Sequence, residues 1–383
     1  MTSKLAVAVL FGGRSSEHSI SCATAAGVLR AIDRDRFEVI PVGITSDGAF
    51  VLEEDRAEKF ALDATALPRV EDNGSRVSWP ESALSRELTV TTADGAVRSL
   101  GEIDVVLPIL HGPWGEDGTI QGLLELVGLP YVGSGVLASA LGMDKHFTKT
   151  VLRAAGLAVA PWYTVTESQW CADPAAAAAA LDELGLPAFV KPARAGSSVG
   201  VSRVDGPAQL EAALEVAFAH DSRVLIESGM LGREVEIGVL GGRRGAPARA
   251  SVAGEVVVTG RGFYDFEAKY LGAAGIELVC PADLTDDELA EMRALAVRAF
   301  DAIGAEGLAR VDFFLTAEGF VVNEINTMPG FTPISMFPRM WGASGVDYSD
   351  LISELIDVAL DRVPIAAMTP ALTVDVDSGA SAG

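Results

Sequence analysis

Four side chains between Arg310 and Asn326 carry the strongest chemical signal in this 383-residue sequence. Arg310 and Asp312 stand two apart in one apolar, β-prone run, and Glu324 and Asn326 stand two apart in a second. A short polar turn with Gly319 joins the runs, so the stretch reads as a β-hairpin. Side chains two apart on a strand share a face. A turn centred on Glu318 sets Asp312 opposite Glu324 and Arg310 opposite Asn326. Two carboxylates opposed across a hairpin repel. A hard divalent cation removes that penalty, and carboxylate, amide and phosphate oxygens suit Mg²⁺. The competing reading is the solvated face of an amphipathic hairpin, and the hairpin alone leaves both open.

Two further stretches have the composition of a nucleotide site. Lys191-Pro-Ala-Arg-Ala-Gly-Ser-Ser-Val-Gly200 follows an apolar strand. Gly196, Ser197, Ser198 and Gly200 let backbone amides approach a polyphosphate, and Lys191 adds charge at the loop's root. The spacing is not that of a Walker loop. Glu227 ends the run Val-Leu-Ile-Glu, and Glu234 follows seven residues later. Such carboxylates can accept from an adenine amino group and ribose hydroxyls, with Met230 and Leu231 offering an apolar slot. Either glutamate alone reads equally as a surface residue.

These residues need a scaffold of several lobes. Length predicts two or three domains, and 49% hydrophobic residues supply the cores. The net charge of −24 opposes general binding to nucleic acid. Cys22, Cys171 and Cys280 are scattered, with neither a disulfide framework nor a zinc pattern, which predicts a reducing compartment. No apolar run is long enough to span a membrane, and the start lacks a signal cleavage region, so a cytoplasmic protein is expected. Strands at 5–11, 37–44 and 103–110 alternate with helices at 17–31 and 119–127, and 130–132 reads as a further short strand. This predicts an open parallel α/β sheet over residues 1–134, with 53–100 a peripheral insertion. A central lobe is expected over 135–232. It begins with a helical stretch, 139–155, interrupted at Gly142, and includes a helix over 174–184 capped by Asp173. A C-terminal lobe is expected over 233–363, with strands at 234–240 and 251–258, a helix at 286–303 and a last helix at 347–361. The tail 364–383 reads as disordered.

The order Lys145, Lys191 with its Gly-Ser loop, Glu227, Glu234, Arg310, Asp312, Glu324 and Asn326 resembles the ATP-grasp enzymes. Within them the chain is similar to the D-alanine–D-alanine ligase family. The marks are Gly12-Gly-Arg-Ser-Ser-Glu17, His111-Gly-Pro-Trp-Gly-Glu-Asp-Gly118, Met143-Asp-Lys145, Glu267-Ala-Lys-Tyr270 and Asn323-Glu-Ile-Asn-Thr-Met-Pro-Gly-Phe-Thr-Pro-Ile-Ser335. The likeness covers about residues 1–363. It implies a three-domain α/β architecture in which two α+β lobes enclose ATP.

The resemblance also implies roles. Lys145, Lys191, Ser197, Ser198 and Lys269 would serve the ATP phosphates, Glu227 the adenine and Glu234 the ribose. Asp312, Glu324 and Asn326 would hold two Mg²⁺ or Mn²⁺ ions. One D-alanine carboxylate would take the γ-phosphoryl group, and the amine of a second D-alanine would displace phosphate. Glu17 would bind the first ammonium, with His111 near the first carboxylate. Arg310 and the Gly330 amide would hold the acyl oxygen, and Ser335 with the Met336 amide the second carboxylate. Tyr270 and Ser197 would join Glu17 in a network closing the site. The proton acceptor for the second amine is unassigned. The retained Tyr270 favours an amine acceptor, with ester formation to a hydroxy acid the near alternative. Other ATP-grasp ligases and a silent nucleotide-binding protein are the remaining readings. Family members are commonly homodimers.

Overall fold

The computed structural model describes residues 4–62, 67–258 and 276–362. Residues 269 and 270, and the tail 364–383, lie outside the described residues. The chain opens with strand β1 (Leu5–Gly12), helix α1 (His18–Ala31), β2 (Phe37–Ile44) and β3 (Phe50–Leu52). Strands β4 (Arg76–Ser78), β5 (Glu87–Thr91), β6 (Val97–Glu102) and β7 (Val105–Pro108) follow, then helix α2 (Thr119–Leu126). The first sheet has the order β3-β2-β1-β7, parallel except for the edge strand β3. Residues Val7 to Phe11 are wholly buried, as expected of a parallel strand covered on both faces. Helix α1 covers one face. The other is covered in part by a small antiparallel sheet, β4-β5-β6, whose Leu88 and Val90 pack with Ala8, Leu10 and Val106. Segment 53–100 therefore walls the N-terminal core. Its strand signal is weak because only alternate residues of β5 point inward. The expected strand at 130–132 is a single parallel bridge, Val106 to Tyr131.

Helices α3 (Val136–Met143) and α4 (Lys145–Ala154) lead into the central lobe. The break falls at Asp144, not at Gly142. Asp144 caps α4 by accepting from the backbone amides of His146 and Phe147. Gly142 stays helical, and its lack of a side chain serves a close approach: a Cβ there would meet Thr327 at 3.1 Å. Strand β8 (Trp162–Thr166), helices α5 (Glu167–Ala172) and α6 (Pro174–Leu184), strands β9 (Ala188–Pro192) and β10 (Ser202–Val204), helix α7 (Leu210–Phe218) and strand β11 (Arg223–Ser228) follow. They form an antiparallel sheet, β10-β9-β11-β8, whose core is filled by α6 and α7. Asp173 caps α6 as expected, accepting from the Ala176 amide.

The third lobe holds β12 (Arg233–Leu240), β13 (Arg249–Val258), β14 (Ile276–Val279), helix α8 (Asp286–Ala302), β15 (Leu308–Thr316) and β16 (Gly319–Asn326). Its sheet runs β14-β13-β12-β15-β16, all antiparallel. Helix α9 (Met336–Ala343) was not visible in the sequence pattern, and α10 (Tyr348–Leu360) closes the described chain. Leu351, Ile352, Leu355 and Ile356 of α10 belong to the same core as Val7, Val9 and Phe11, so the first and third lobes share packing.

The hairpin β15–β16 has the expected pairing, Arg310 with Asn326 and Asp312 with Glu324, but reaches it by another route. The turn is two residues, Thr316 pairing with Gly319, and Phe313 pairs with Val322. Asn323 is the extra residue of a β-bulge. Val322 and Ile325, three apart, can then both enter the core under α8. Glu324 and Asn326 turn to the other face, beside Arg310 and Asp312.

Candidate active site

The polar face of the third sheet lies between the lobes. Strand alternation sets Glu234 and Glu236 on the same side as Arg310 and Asp312, and Glu236 pairs directly with Asp312. A cavity of about 380 Å³ opens there. Glu17 reaches it from the turn before α1, Ser197 from the loop after β9, and Arg310, Glu324 and Asn326 from the hairpin. Lys145, Gly330, Ser335 and Met336 line it as well. Three lobes thus contribute to one site, which the sequence order alone could not have placed together.

Glu17 is nearly buried and accepts from the Ser197 hydroxyl across 180 positions of sequence. Its own amide is held by Ser15 Oγ at 3.0 Å, and Ser15 donates to the His111 carbonyl at 2.6 Å. Gly112 and Gly196 leave room around the carboxylate, since a Cβ at Gly112 would come 2.8 Å from Glu17 Oε2. Ser197 and Ser198 both have positive φ, 49° and 59°, an uncommon conformation for side-chain-bearing residues. Such conformations cluster in ligand clamps. The loop is fastened by Lys145, whose amide donates to the Ala193 carbonyl at 3.0 Å and whose Nζ donates to that of Ala195 at 2.7 Å.

His111 is buried, and both ring nitrogens are engaged: Nδ1 lies 3.3 Å from the Met328 carbonyl and Nε2 3.3 Å from Thr24 Oγ1. Burial pushes the imidazole pKa down, against the pull of Glu17, so the ring is neutral and donates from Nδ1. Glu116 lies just before helix α2 but does not hold the turn that starts it. Asp117 does that work, accepting from the Thr119 and Trp114 amides. Glu116 instead turns into the cavity wall and accepts from the Gly112 amide at 2.5 Å. Removal from water, then the charge of Glu17, pushes its carboxyl up to about 8.

The sign of that shift gives a prediction. A carboxyl raised in the folded state stabilises it below the unfolded value near 4.5, and this is lost as pH rises through 8. Glu116→Gln keeps an acceptor for Gly112 and removes the titration. Its melting temperature is expected to fall less than that of the parent between pH 5 and 9, by roughly 2–4 °C. Parallel melting curves would refute the shift.

At the hairpin, Arg310 donates through Nε and Nη2 to both Asp312 oxygens at 2.7 Å, and Asn326 Nδ2 donates to Asp312 Oδ2 at 3.0 Å. Glu236 Oε2 lies 3.2 Å from Arg310 Nε, but at an angle that makes no hydrogen bond. Burial, and the nearby Glu236 and Glu324 charges, push Asp312 up to about 7 despite Arg310. Among the described residues no three His, Cys, Asp or Glu side chains form a ready-made metal cluster. The donor set nevertheless fits a hard cation. Three carboxylates, Glu236, Asp312 and Glu324, face two cations, Arg310 and a Lys145 ammonium 4.0 Å from Glu324. Asn326 can add its amide oxygen by turning its side chain over. The sequence pattern missed Glu236, whose spacing from Glu234 in β12 was the available signal.

Lys191 and Glu227 meet at the root of the loop: Lys191 Nζ donates to Glu227 Oε1 at 2.6 Å. Lys149, also missed, is wholly buried 2.8 Å from Glu227 Oε2. Two ammonium groups thus hold the buried Glu227 carboxylate, one at each oxygen. Glu234 is exposed on β12, at the edge of the same polar face. Ser335 stands at the N-cap of α9, its hydroxyl 2.7 Å from Thr332 Oγ1, with the Met336 amide next in the chain.

Comparison with known proteins gives the family. A family model described as D-ala D-ala ligase N-terminus matches residues 6–134, and one described as D-ala D-ala ligase C-terminus matches residues 151–357. The chain is 53% identical over 365 residues to a D-alanine–D-alanine ligase of Paenarthrobacter aurescens, covering 94% of this chain and 97% of the relative. Its fold is similar to that of VanG D-Ala:D-Ser ligase from Enterococcus faecalis, with a TM-score of 0.80 and 33% identity over 93% of this chain and 100% of that one. It is also similar to the D-alanine–D-alanine ligase from Coxiella burnetii, with a TM-score of 0.78 and 35% identity over 94% of each chain. With both halves matched and close relatives aligned over nearly their whole length, the chain belongs to the D-alanine–D-alanine ligase family.

Proposed function

We infer that this chain is an ATP-dependent carboxylate–amine ligase that joins two D-alanine molecules, releases ADP and phosphate, and supplies the dipeptide for peptidoglycan precursors. The observation that carries the reading is the convergence of Glu17, Ser197 and Arg310, each from a different lobe, on one cavity. Glu17 there offers a carboxylate to an ammonium. Lys145, Lys191, Ser197 and Ser198 serve the ATP phosphates, Glu227 the adenine amino group and Glu234 the ribose.

In the first half-reaction the donor carboxylate attacks the γ-phosphorus and ADP leaves. Asp312, Glu324 and Asn326 would hold two divalent cations, which when bound neutralise charge on the transferring phosphoryl group. Arg310, released in part from Asp312, and the Gly330 amide hold the acyl oxygen. His111 stays neutral beside the donor carboxylate. In the second half-reaction the acceptor amine attacks the acyl carbon and phosphate leaves. Ser335 and the Met336 amide orient the acceptor carboxylate. We assign Lys269 and Tyr270, outside the described residues, to the phosphates and to the Glu17–Ser197 network.

No described helix is long and apolar enough to cross a membrane, and we place the enzyme in the cytoplasm. We propose a homodimer joined through the N-terminal region, where Leu126 of α2 is exposed.

The test is phosphate release from ATP and Mg²⁺ with D-alanine, L-alanine, or D-alanine with D-lactate or D-serine, and products identified by mass. D-alanine alone is expected to give D-alanyl-D-alanine. Release only with D-serine or D-lactate would move the acceptor, and no release at all would overturn the reading.

A further inference from the structure

The cations in the cavity are not equivalent. Arg310 is paired with Asp312, and Lys145 faces Glu324 and the Ala195 carbonyl. Arg339 also lines the cavity, yet among the described residues it has no acidic partner. Its guanidinium makes one hydrogen bond to the described residues, from Nη2 to the Leu278 carbonyl at 3.1 Å. In a chain of net charge −24, a half-buried arginine in a substrate cavity that meets no carboxylate among the described residues has room for an anion from outside.

Its place on α9 says which anion. Arg339 follows Ser335 by four residues, and its amide donates to the Ser335 carbonyl at 3.3 Å, so the two share a helix face. Side chains on a helix lean toward its N-terminus, which brings the guanidinium toward the Ser335–Met336 end. That is the end assigned above to the acceptor amino acid, and this inference rests on that assignment. The donor carboxylate loses its charge on activation, whereas the acceptor carboxylate stays anionic throughout. It needs a lasting counter-charge that Ser335 and a backbone amide do not supply.

We propose that Arg339 binds the carboxylate of the acceptor amino acid and thereby restricts the acceptor to a free acid. A planar guanidinium suits a carboxylate through two parallel donors, and its remaining N–H groups are free of described acidic partners. Leu278 fixes one edge of the guanidinium and leaves the rest for substrate.

The test compares D-alanine with D-alaninamide as acceptor, D-alanine being the donor in both cases, with the two products separated by mass. The parent is expected to prefer D-alanine in kcat/KM. Arg339→Met should reduce that preference at least about tenfold, by raising the KM for the second D-alanine with kcat nearly unchanged. Arg339→Lys should restore part of it. The ratio is internal to each variant, so a loss of folded protein does not move it. An unchanged ratio in Arg339→Met would overturn the proposal and leave Arg339 as a clamp on Leu278. Failure of the parent to use D-alanine at all would instead count against the ligase reading itself.

Discussion

Glu324→Gln is expected to lower kcat by about a thousandfold while the protein stays folded. The substitution keeps the shape of the side chain and removes one negative charge. In the folded chain Glu324 pairs with Asp312 across the hairpin, with Glu236 on the other side of Asp312. Losing one of three converging carboxylates relieves repulsion, so the melting temperature should hold or rise. The cost falls on the cation that the site would hold, because charge on the transferring phosphoryl group is then poorly neutralised, a loss of several kcal/mol. Mn²⁺ binding in the presence of ADP should weaken in parallel. Turnover within tenfold of the parent would exclude the hairpin as the metal site.

Arg310→Lys should be nearly as damaging, for a different reason. Arg310 holds both oxygens of Asp312 through two parallel donors, and its guanidinium lies close to Glu236. A lysine keeps the charge but not the fork. One of the two hydrogen bonds to Asp312 would be lost, at a cost of about 1.5–3 kcal/mol in stability. The acyl oxygen would lose a planar donor in both half-reactions. A fall of roughly 10²–10³ in kcat follows from losing one oxyanion donor. The KM for ATP should change much less. Equal losses in kcat and in ATP affinity would place Arg310 with the nucleotide and not with the acyl group.

Most of the site was legible because its chemistry sits in short local patterns. The hairpin pairs and the Gly-Ser loop could each be read from residue type and spacing, whereas Glu17 came only with the family resemblance. The hairpin also shows where such reading is incomplete. A turn centred on Glu318 gave the correct partners, yet the real turn is tighter and a bulge at Asn323 restores the register. The signal was present as two consecutive polar residues, Asn323 and Glu324, between Val322 and Ile325. Alternation alone cannot accommodate that pattern. Glu236, Lys149 and Arg339 were missed because their meaning depends on neighbours far away in sequence. Glu236 matters because β12 lies beside β15, and Lys149 because α4 presents it to β11. The small sheet β4-β5-β6 was legible only as weak strands, since its burial depends on a face supplied by β1 and β7.

The hydrogen bond from Ser197 to Glu17 has a consequence for how ligands and fold are linked. It ties the central lobe to the first through the same carboxylate proposed to receive the donor ammonium. Anything that binds there is gripped by parts of the chain that pack in separate cores, so its binding free energy is added to the cohesion between lobes. Saturating substrate should therefore merge their unfolding into a single, more cooperative transition. Amide exchange in the Gly-Ser loop should slow together with that of the turn before α1. Conversely, a destabilising substitution deep in the central lobe, far from any ligand, should appear first as weaker substrate affinity.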